Sequence, residues 1–377
     1  MAGLYIHVPF CSTRCAYCAF YSTTYGDEVK TAYVGALCKE MSSRCHEFRN
    51  VAVSTVYLGG GTPSLLNIPL FNQLFSALRT NFNVSPHAEI TVEANPDDLS
   101  VELVRCWVAN GVNRVSLGIQ SLNDHILKSI NRRHDAAQAI SAVHLLWNEG
   151  VKNISIDLIY ALPGQTLQDW DRNLDIAVGL PITHLSAYAL SIEEGTYLFR
   201  LLQKGIVSEV SDGMQCMMYR RLVSKLSQTG FQQYEISNFS RSGMESQHNS
   251  SYWKGEPYIG LGPGAHSFDG RNVRRCNQPD VMAYIACSGN PPMEMEVLDV
   301  GQSLDEYILT SLRTKCGLSL QKLSKLTSSN NVLALLRKAY HYQREGMVVI
   351  HEGHISFTTS GFLMSDALIL EFSSVME

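Results

Sequence analysis

The sequence predicts an α/β protein: a partial (β/α)6 barrel, then an irregular extension, then a small helical, winged-helix-like C-terminal module. Three observations predict it. Six short segments rich in β-branched and aromatic residues each run into turn residues and then a helix-like stretch. Polar residues able to hold a ligand collect where those segments end. The strand-helix rhythm breaks at Phe231 and does not return.

The strand-like segments are 4–8, 53–58, 89–93, 114–117, 153–158 and 184–189, and the helical patterns between them are 29–44, 68–81, 100–110, 136–149 and 168–178. Asp or Ser stands at several helix starts. Gly111, Gly150 and Gly179 follow three of the ends, where a glycine closes a helix without steric cost. Repeated βα units give a parallel sheet covered on both faces. Six units form an incomplete barrel or a curved open sheet, with ligands at the carboxyl ends of the strands.

Residues 1–235 are expected to form this core. A Gly-, Ser-, Asn- and aromatic-rich stretch, 236–300, is expected to be an irregular extension. Residues 301–377 read as three helices and a small hairpin, with no basic recognition helix that would imply DNA binding.

With 377 residues, 45% of them hydrophobic, the chain can bury one large core and a smaller one beside it. A net charge of -5 supplies no broad basic field, so nucleic acid is not an expected partner. No apolar run reaches membrane-spanning length, and the N-terminal MAGLYIHVPFC lacks the form of a secretory signal. The expected location is the cytosol, without stable membrane insertion. Ten cysteines are too few for a disulfide scaffold in a chain this long, and seven of them, scattered without metal spacing, read as small core residues.

The other three, Cys11, Cys15 and Cys18, stand at C-x3-C-x2-C spacing in a loop directly after the first strand. A closed zinc site takes four protein ligands, and the next thiol, Cys38, lies in a helix-like stretch twenty residues on. Zinc with a distant fourth ligand stays open. Three thiolates can also cap three corners of a [4Fe-4S] cube and leave one iron free to chelate the amino and carboxylate groups of S-adenosylmethionine (SAM).

The run TVYLGGGTPSLL puts three glycines at a strand end, which makes either a tight turn or a place where backbone amides approach a ligand. Thr62 adds a hydroxyl. Glu93 and Asp157 sit inside or at the end of largely apolar strands, where a carboxylate is costly unless it meets a cation or strong donors, such as a ribose diol or a sulfonium ligand. Gln120 and Arg132 are candidate polar grips on a nucleoside and a carboxylate.

YIHVPFC, GGGTPS, GIQS and IDLIYALPGQT together resemble the radical SAM family, in the branch that holds oxygen-independent coproporphyrinogen III oxidase and its haem-chaperone relatives. The resemblance covers nearly the whole chain. It implies a [4Fe-4S] cluster on Cys11, Cys15 and Cys18, and SAM contacts at Tyr5, Gly60, Gly61, Thr62, Glu93, Gln120, Arg132 and Asp157; it assigns no catalytic residue.

Three features side with the chaperones. Phe20 stands where the oxidases carry a further cysteine, HNSSYW at 248–253 matches their H-N-x-x-Y-W motif, and the chain begins close to the cluster strand. His248 is a candidate axial ligand for haem, with Tyr252 and Trp253 as flat surface beside it, and His266 is a second candidate. Implied partners are haem, an electron donor and a haem-accepting protein, a respiratory one among the candidates. The other function this branch implies is oxidative decarboxylation of coproporphyrinogen III to protoporphyrinogen IX.

Overall fold

The computed structural model describes residues 2–49 and 51–374. Six parallel strands form its frame: β1 (Gly3–Val8), β2 (Val53–Gly60), β3 (Val84–Ala94), β4 (Arg114–Gln120), β5 (Asn153–Tyr160) and β6 (His184–Ala189). They pair in chain order, as in a barrel left open on one side. The expected segments lie inside these strands, and β2, β4 and β5 run further at their carboxyl ends, so the ladder carries the polar site residues with it.

Alternation along the strands sorts the side chains. Leu4, Ile6 and Val8, Val56 and Leu58, Val115 and Leu117, and Ile154, Ile156 and Leu158 are buried and join residues of the surrounding helices in one hydrophobic cluster. Burial of each such side chain contributes about 1.5–3 kcal/mol, which fixes the register. The opposite face carries Tyr5, His7, Tyr57, Glu93, Ser116, Asp157, Ser186 and Tyr188. Tyr5 pairs across from Tyr57, Glu93 from Ser116, and Asp157 from Ser186. The bore of the barrel is therefore polar.

The helices Asp27–Arg44, Ile68–Asn81, Val101–Ala109, Ala136–Asn148 and Leu167–Gly179 follow the expected pattern. Asn67 and Ser100 cap two of them, and capping boxes at Asp135/Gln138 and Thr166/Asp169 start two more. Gly111 and Gly150 have the left-handed backbone of helix ends, whereas Gly179 lies inside the last turn of its helix.

The stretch 236–300 is more ordered than an irregular extension. It extends the sheet at both edges. Beyond β6 come β8 (Asn238–Ser240) and, just upstream in the chain, β7 (Gln232–Gln233), both antiparallel; beyond β1 come β9 (Tyr258–Leu261), parallel to it, and the antiparallel β10 (His266–Phe268), β11 (Val273–Asn277) and β12 (Met293–Val297). These strands span only two to five residues, too few for a visible alternation.

The helix Gln247–Lys254 carries the chain from one edge to the other. The Glu89 carboxylate accepts hydrogen bonds from the backbone N–H groups of Gln247 and His248 in its first turn, at 3.1 and 3.0 Å.

At the C-terminal end the helices Val300–Leu312, Leu320–Leu326 and Ser329–Arg344 combine with β13 (Leu318–Ser319), β14 (Val348–His351) and β15 (His354–Phe357) as a winged helix would. Two helices that the sequence did not reveal, Thr359–Leu363 and Ser365–Ser373, complete it. Among the described residues no helix is long and apolar enough to cross a membrane. None of the seven scattered cysteines is fully buried: six are half-buried, of which Cys38, Cys45 and Cys106 pack against the core as expected, and Cys316 is exposed.

Candidate functional site

The loop after β1 is held at its base and its tip. The Thr23 N–H donates to the Pro9 carbonyl and the Thr23 carbonyl accepts from the Cys11 N–H, while Phe10 is buried edge-on to Tyr33. At the tip the Ala16 N–H donates to Ile130, and the Asn131 side chain donates to the Arg14 carbonyl at 2.8 Å. Thus anchored, Cys11, Cys15 and Cys18 all line one cavity of about 490 Å³ at the carboxyl ends of the parallel strands. The thiols sense one another. Burial pushes the Cys18 thiol up, and the charges of Cys15 and Cys11 add to the rise.

The glycine run is required by packing. Gly60 has φ +106, and a Cβ there would lie 2.5 Å from the His7 ring; at Gly61 it would lie 2.7 Å from the Phe10 carbonyl oxygen. Only glycine lets the end of β2 close against the cysteine loop, with the Gly61 N–H donating to Val8 O at 2.9 Å. Both glycines also border the cavity, so the tight turn and the exposed backbone coexist.

Hydrogen bonds run from one cysteine to another. Thr62 Oγ1 lies 3.5 Å from Cys11 Sγ and accepts from Asn95 Nδ2 at 3.3 Å. Asn95 Oδ1 accepts from Arg132 Nη2 at 2.6 Å, and Arg132 Nη1 lies 3.3 Å from Cys15 Sγ. Arg132 also donates to the Gly118 carbonyl, and its buried Nε has no protein partner. The guanidinium places a positive charge directly beside the Cys15 sulfur. Asn95 escaped the sequence reading. Its one signal is its place between Glu93 and Pro96 at a strand end.

Two carboxylates form the far wall. Glu93 accepts from Tyr57 Oη at 2.7 Å and from the Gly60 N–H at 3.2 Å, and no cation touches it. Burial pushes its pKa up to about 7, against the opposing pull of the Tyr57 hydrogen bond. Asp157 accepts from Ser116 Oγ at 3.2 Å and is likewise raised by burial. Both face the cavity and are enclosed by protein on their other sides, an arrangement that awaits a cation or hydroxyl donors. Gln120, with φ +67 at the irregular end of β4, and Tyr188 complete the lining.

Ten of the fifteen residues singled out by sequence therefore meet at one cavity. Tyr5 lies below it. Its ring stacks on Tyr57 at 6.2 Å and its hydroxyl meets His7 Nδ1 at 3.0 Å, so His7 stands between it and the strand ends.

His248, Tyr252 and Trp253 lie at the other end of the barrel, on the helix Gln247–Lys254. His248 is buried, with Nδ1 2.8 Å from Thr55 Oγ1 and Nε2 2.8 Å from Tyr252 Oη. Burial drives its pKa down to about 3. With both nitrogens engaged it has none free for iron in this conformation. Its ring stacks on Tyr57 at 5.1 Å, so it supports Glu93 from beneath.

Among the described residues no three His, Cys, Asp or Glu side chains converge on a position for a single metal ion. Three thiols on one cavity wall, with a guanidinium beside one of them and an unpartnered Arg132 Nε buried there, instead fit a larger, anionic thiolate-bound cluster.

A parallel half-barrel with a three-cysteine loop over its strand ends defines the class, and the model of the radical SAM superfamily matches residues 5–177. The heme chaperone HemW of Lactococcus lactis is 35% identical over 84% of this chain and 83% of its own. The HemW of Mycobacterium tuberculosis is 34% identical over 97% of this chain and 93% of its own. The solved coproporphyrinogen III oxidase HemN of Escherichia coli superposes with a TM-score of 0.83, covering 100% of this chain and 89% of that one; at 23% identity it attests the fold alone. The chain belongs to the heme chaperone HemW family of the radical SAM superfamily.

Proposed function

We propose that the protein is a haem chaperone: it holds a [4Fe-4S] cluster, SAM and haem, and passes haem to an acceptor protein. The observation that most supports this is the extent of the likeness, since a relative named as a heme chaperone matches 97% of the chain.

Cys11, Cys15 and Cys18 would hold the cluster, leaving its fourth iron toward the cavity. When bound, the cluster supplies one electron and SAM the sulfonium that can accept it. Arg132 stabilises the thiolate of Cys15. Glu93 and the Gly60–Gly61 backbone receive the SAM amino group, and Asp157 and Gln120 receive the nucleoside. The Tyr57 hydroxyl keeps Glu93 turned to the cavity. An electron donor is a required partner, and the cytoplasm, where thiols stay reduced, is the proposed compartment.

Phe20 separates this function from coproporphyrinogen oxidation. It is 71% exposed on the cavity rim, where the oxidases are expected to carry a further cysteine. One anaerobic preparation tests the two functions together. Haem retained at one per chain, without SAM-dependent conversion of coproporphyrinogen III, supports the chaperone; conversion to protoporphyrinogen IX refutes it.

A further inference from the structure

Beyond β1 the concave face of the sheet continues over β9 to β12, and its side chains stand in two cross-strand rows. One row sets Tyr258 opposite Phe268 and Phe268 opposite Arg274. The other sets His266 opposite Cys276 and Cys276 opposite Glu294. Residues directly opposite share a face, with Cβ atoms roughly 4.5–5.5 Å apart. Tyr252 lengthens the aromatic row, its ring edge-on to Tyr258 at 4.6 Å. Arg274 lies 5.9 Å from the Phe268 ring centre and bridges to Glu306 at 2.6 Å.

His266 is exposed, and its Nε2 lies 3.4 Å from Cys276 Sγ. Burial and then the charge of Glu294 push the Cys276 thiol up, and its S–H has two acceptors in reach, His266 Nε2 at 3.4 Å and the Asn277 carbonyl at 3.4 Å. With the ring proton on Nδ1, Nε2 carries the lone pair. An incoming iron has only a weak hydrogen bond to displace.

Two donors are too few for zinc, which takes at least three protein ligands, and no third His, Cys, Asp or Glu joins them among the described residues. Haem iron is different. It brings four nitrogens of its own and needs one or two axial ligands, flat apolar surface beneath the ring and a cation for its propionates. Residues two apart on a strand are about 7 Å apart, so iron above His266 puts the edge of the porphyrin over the row of Phe268 and Arg274.

Resting on the haem-chaperone reading, we propose that His266 is the axial ligand of the carried haem. Cys276 orients the imidazole, Phe268 and Tyr258 underlie the ring, and Arg274 exchanges Glu306 for a propionate. The site borders the cysteine loop: Gly264, two residues before His266, lies against the Tyr21 ring, which stacks on His7, and His7 packs against Gly60.

The test is titration of the full chain with ferric haem, followed by absorbance, for the native protein and for His266→Ala and Cys276→Ser. SAM affinity and thermal unfolding serve as checks of the fold. The native protein should give the high-spin spectrum of ferric haem with one imidazole ligand. His266→Ala should lose it, bind haem at least tenfold more weakly and regain the spectrum with added imidazole, while Cys276→Ser keeps it. A His266→Ala protein that titrates like the native one overturns the proposal, as does a thiolate-type spectrum that Cys276→Ser abolishes. If the native protein takes up no haem, the chaperone reading fails first and the site with it.

Discussion

Replacing Glu93 by Gln removes a charge that burial in the cavity wall makes costly. The folded pKa is about 7 against an ordinary 4.5, so the folded state binds the proton more tightly than the unfolded one. Stability from this group is present below pH 4.5 and lost as pH rises through 7. At 1.36 kcal/mol per pKa unit, the loss between pH 5 and 8.5 is about 2.5 kcal/mol.

Glu93→Gln lacks that titration. It can still accept from Tyr57, and the amide turned toward the Gly60 N–H costs about 1 kcal/mol at every pH. The Asp157 charge adds to the rise at Glu93, so the difference between the two proteins carries the coupling of the two carboxyls as well as the Glu93 titration. Urea unfolding of both proteins, free of SAM, at pH 5 and pH 8.5 measures it. The variant should gain about 2.5 kcal/mol on the native protein across that interval. SAM should also bind the native protein more tightly as pH rises toward 7, because a cation beside Glu93 expels its proton. Parallel pH profiles for the two proteins would refute the placement of a half-protonated carboxyl on the cavity wall.

His248→Ala removes a buried ring bonded at both nitrogens and stacked on Tyr57, so unfolding should show a loss of about 2–4 kcal/mol. Calorimetry of the folded variant should also show SAM binding weakened roughly fivefold, about 1 kcal/mol, as Tyr57 loosens beneath Glu93. Arg132→Lys gives up the fork that joins Cys15, Asn95 and Gly118, and iron and sulfide analysis should find well under a full cluster per chain after brief exposure to air. Gly61→Ala forces a Cβ to within 2.8 Å of Val8 O and Phe10 N, so thermal unfolding should report a cost of about 1–3 kcal/mol, with lower cluster occupancy.

The central strands could be read because each couples an apolar alternation to a polar residue at or near its carboxyl end, as β3 does at Glu93 and β5, within its last half, at Asp157. The cavity could be read for the same reason, since residues at the ends of adjacent parallel strands must meet. The edges could not. β10 has three residues, and β9 pairs with β1 from more than 250 positions away, so nothing local announces it. Asn95 was hidden because its role depends on Arg132 and Thr62, neither of them a sequence neighbour. For His248 the motif was legible but its surroundings were not: the short helix that carries it turns the ring inward to Thr55 and Tyr57 rather than outward.

Electron paramagnetic resonance of anaerobically reconstituted, reduced protein, before and after addition of SAM, tests the central claim most directly. The account predicts a [4Fe-4S]+ signal that shifts on SAM addition and is absent from Cys15→Ser. A full cluster whose signal ignores SAM, or one that survives Cys15→Ser unchanged, would contradict it.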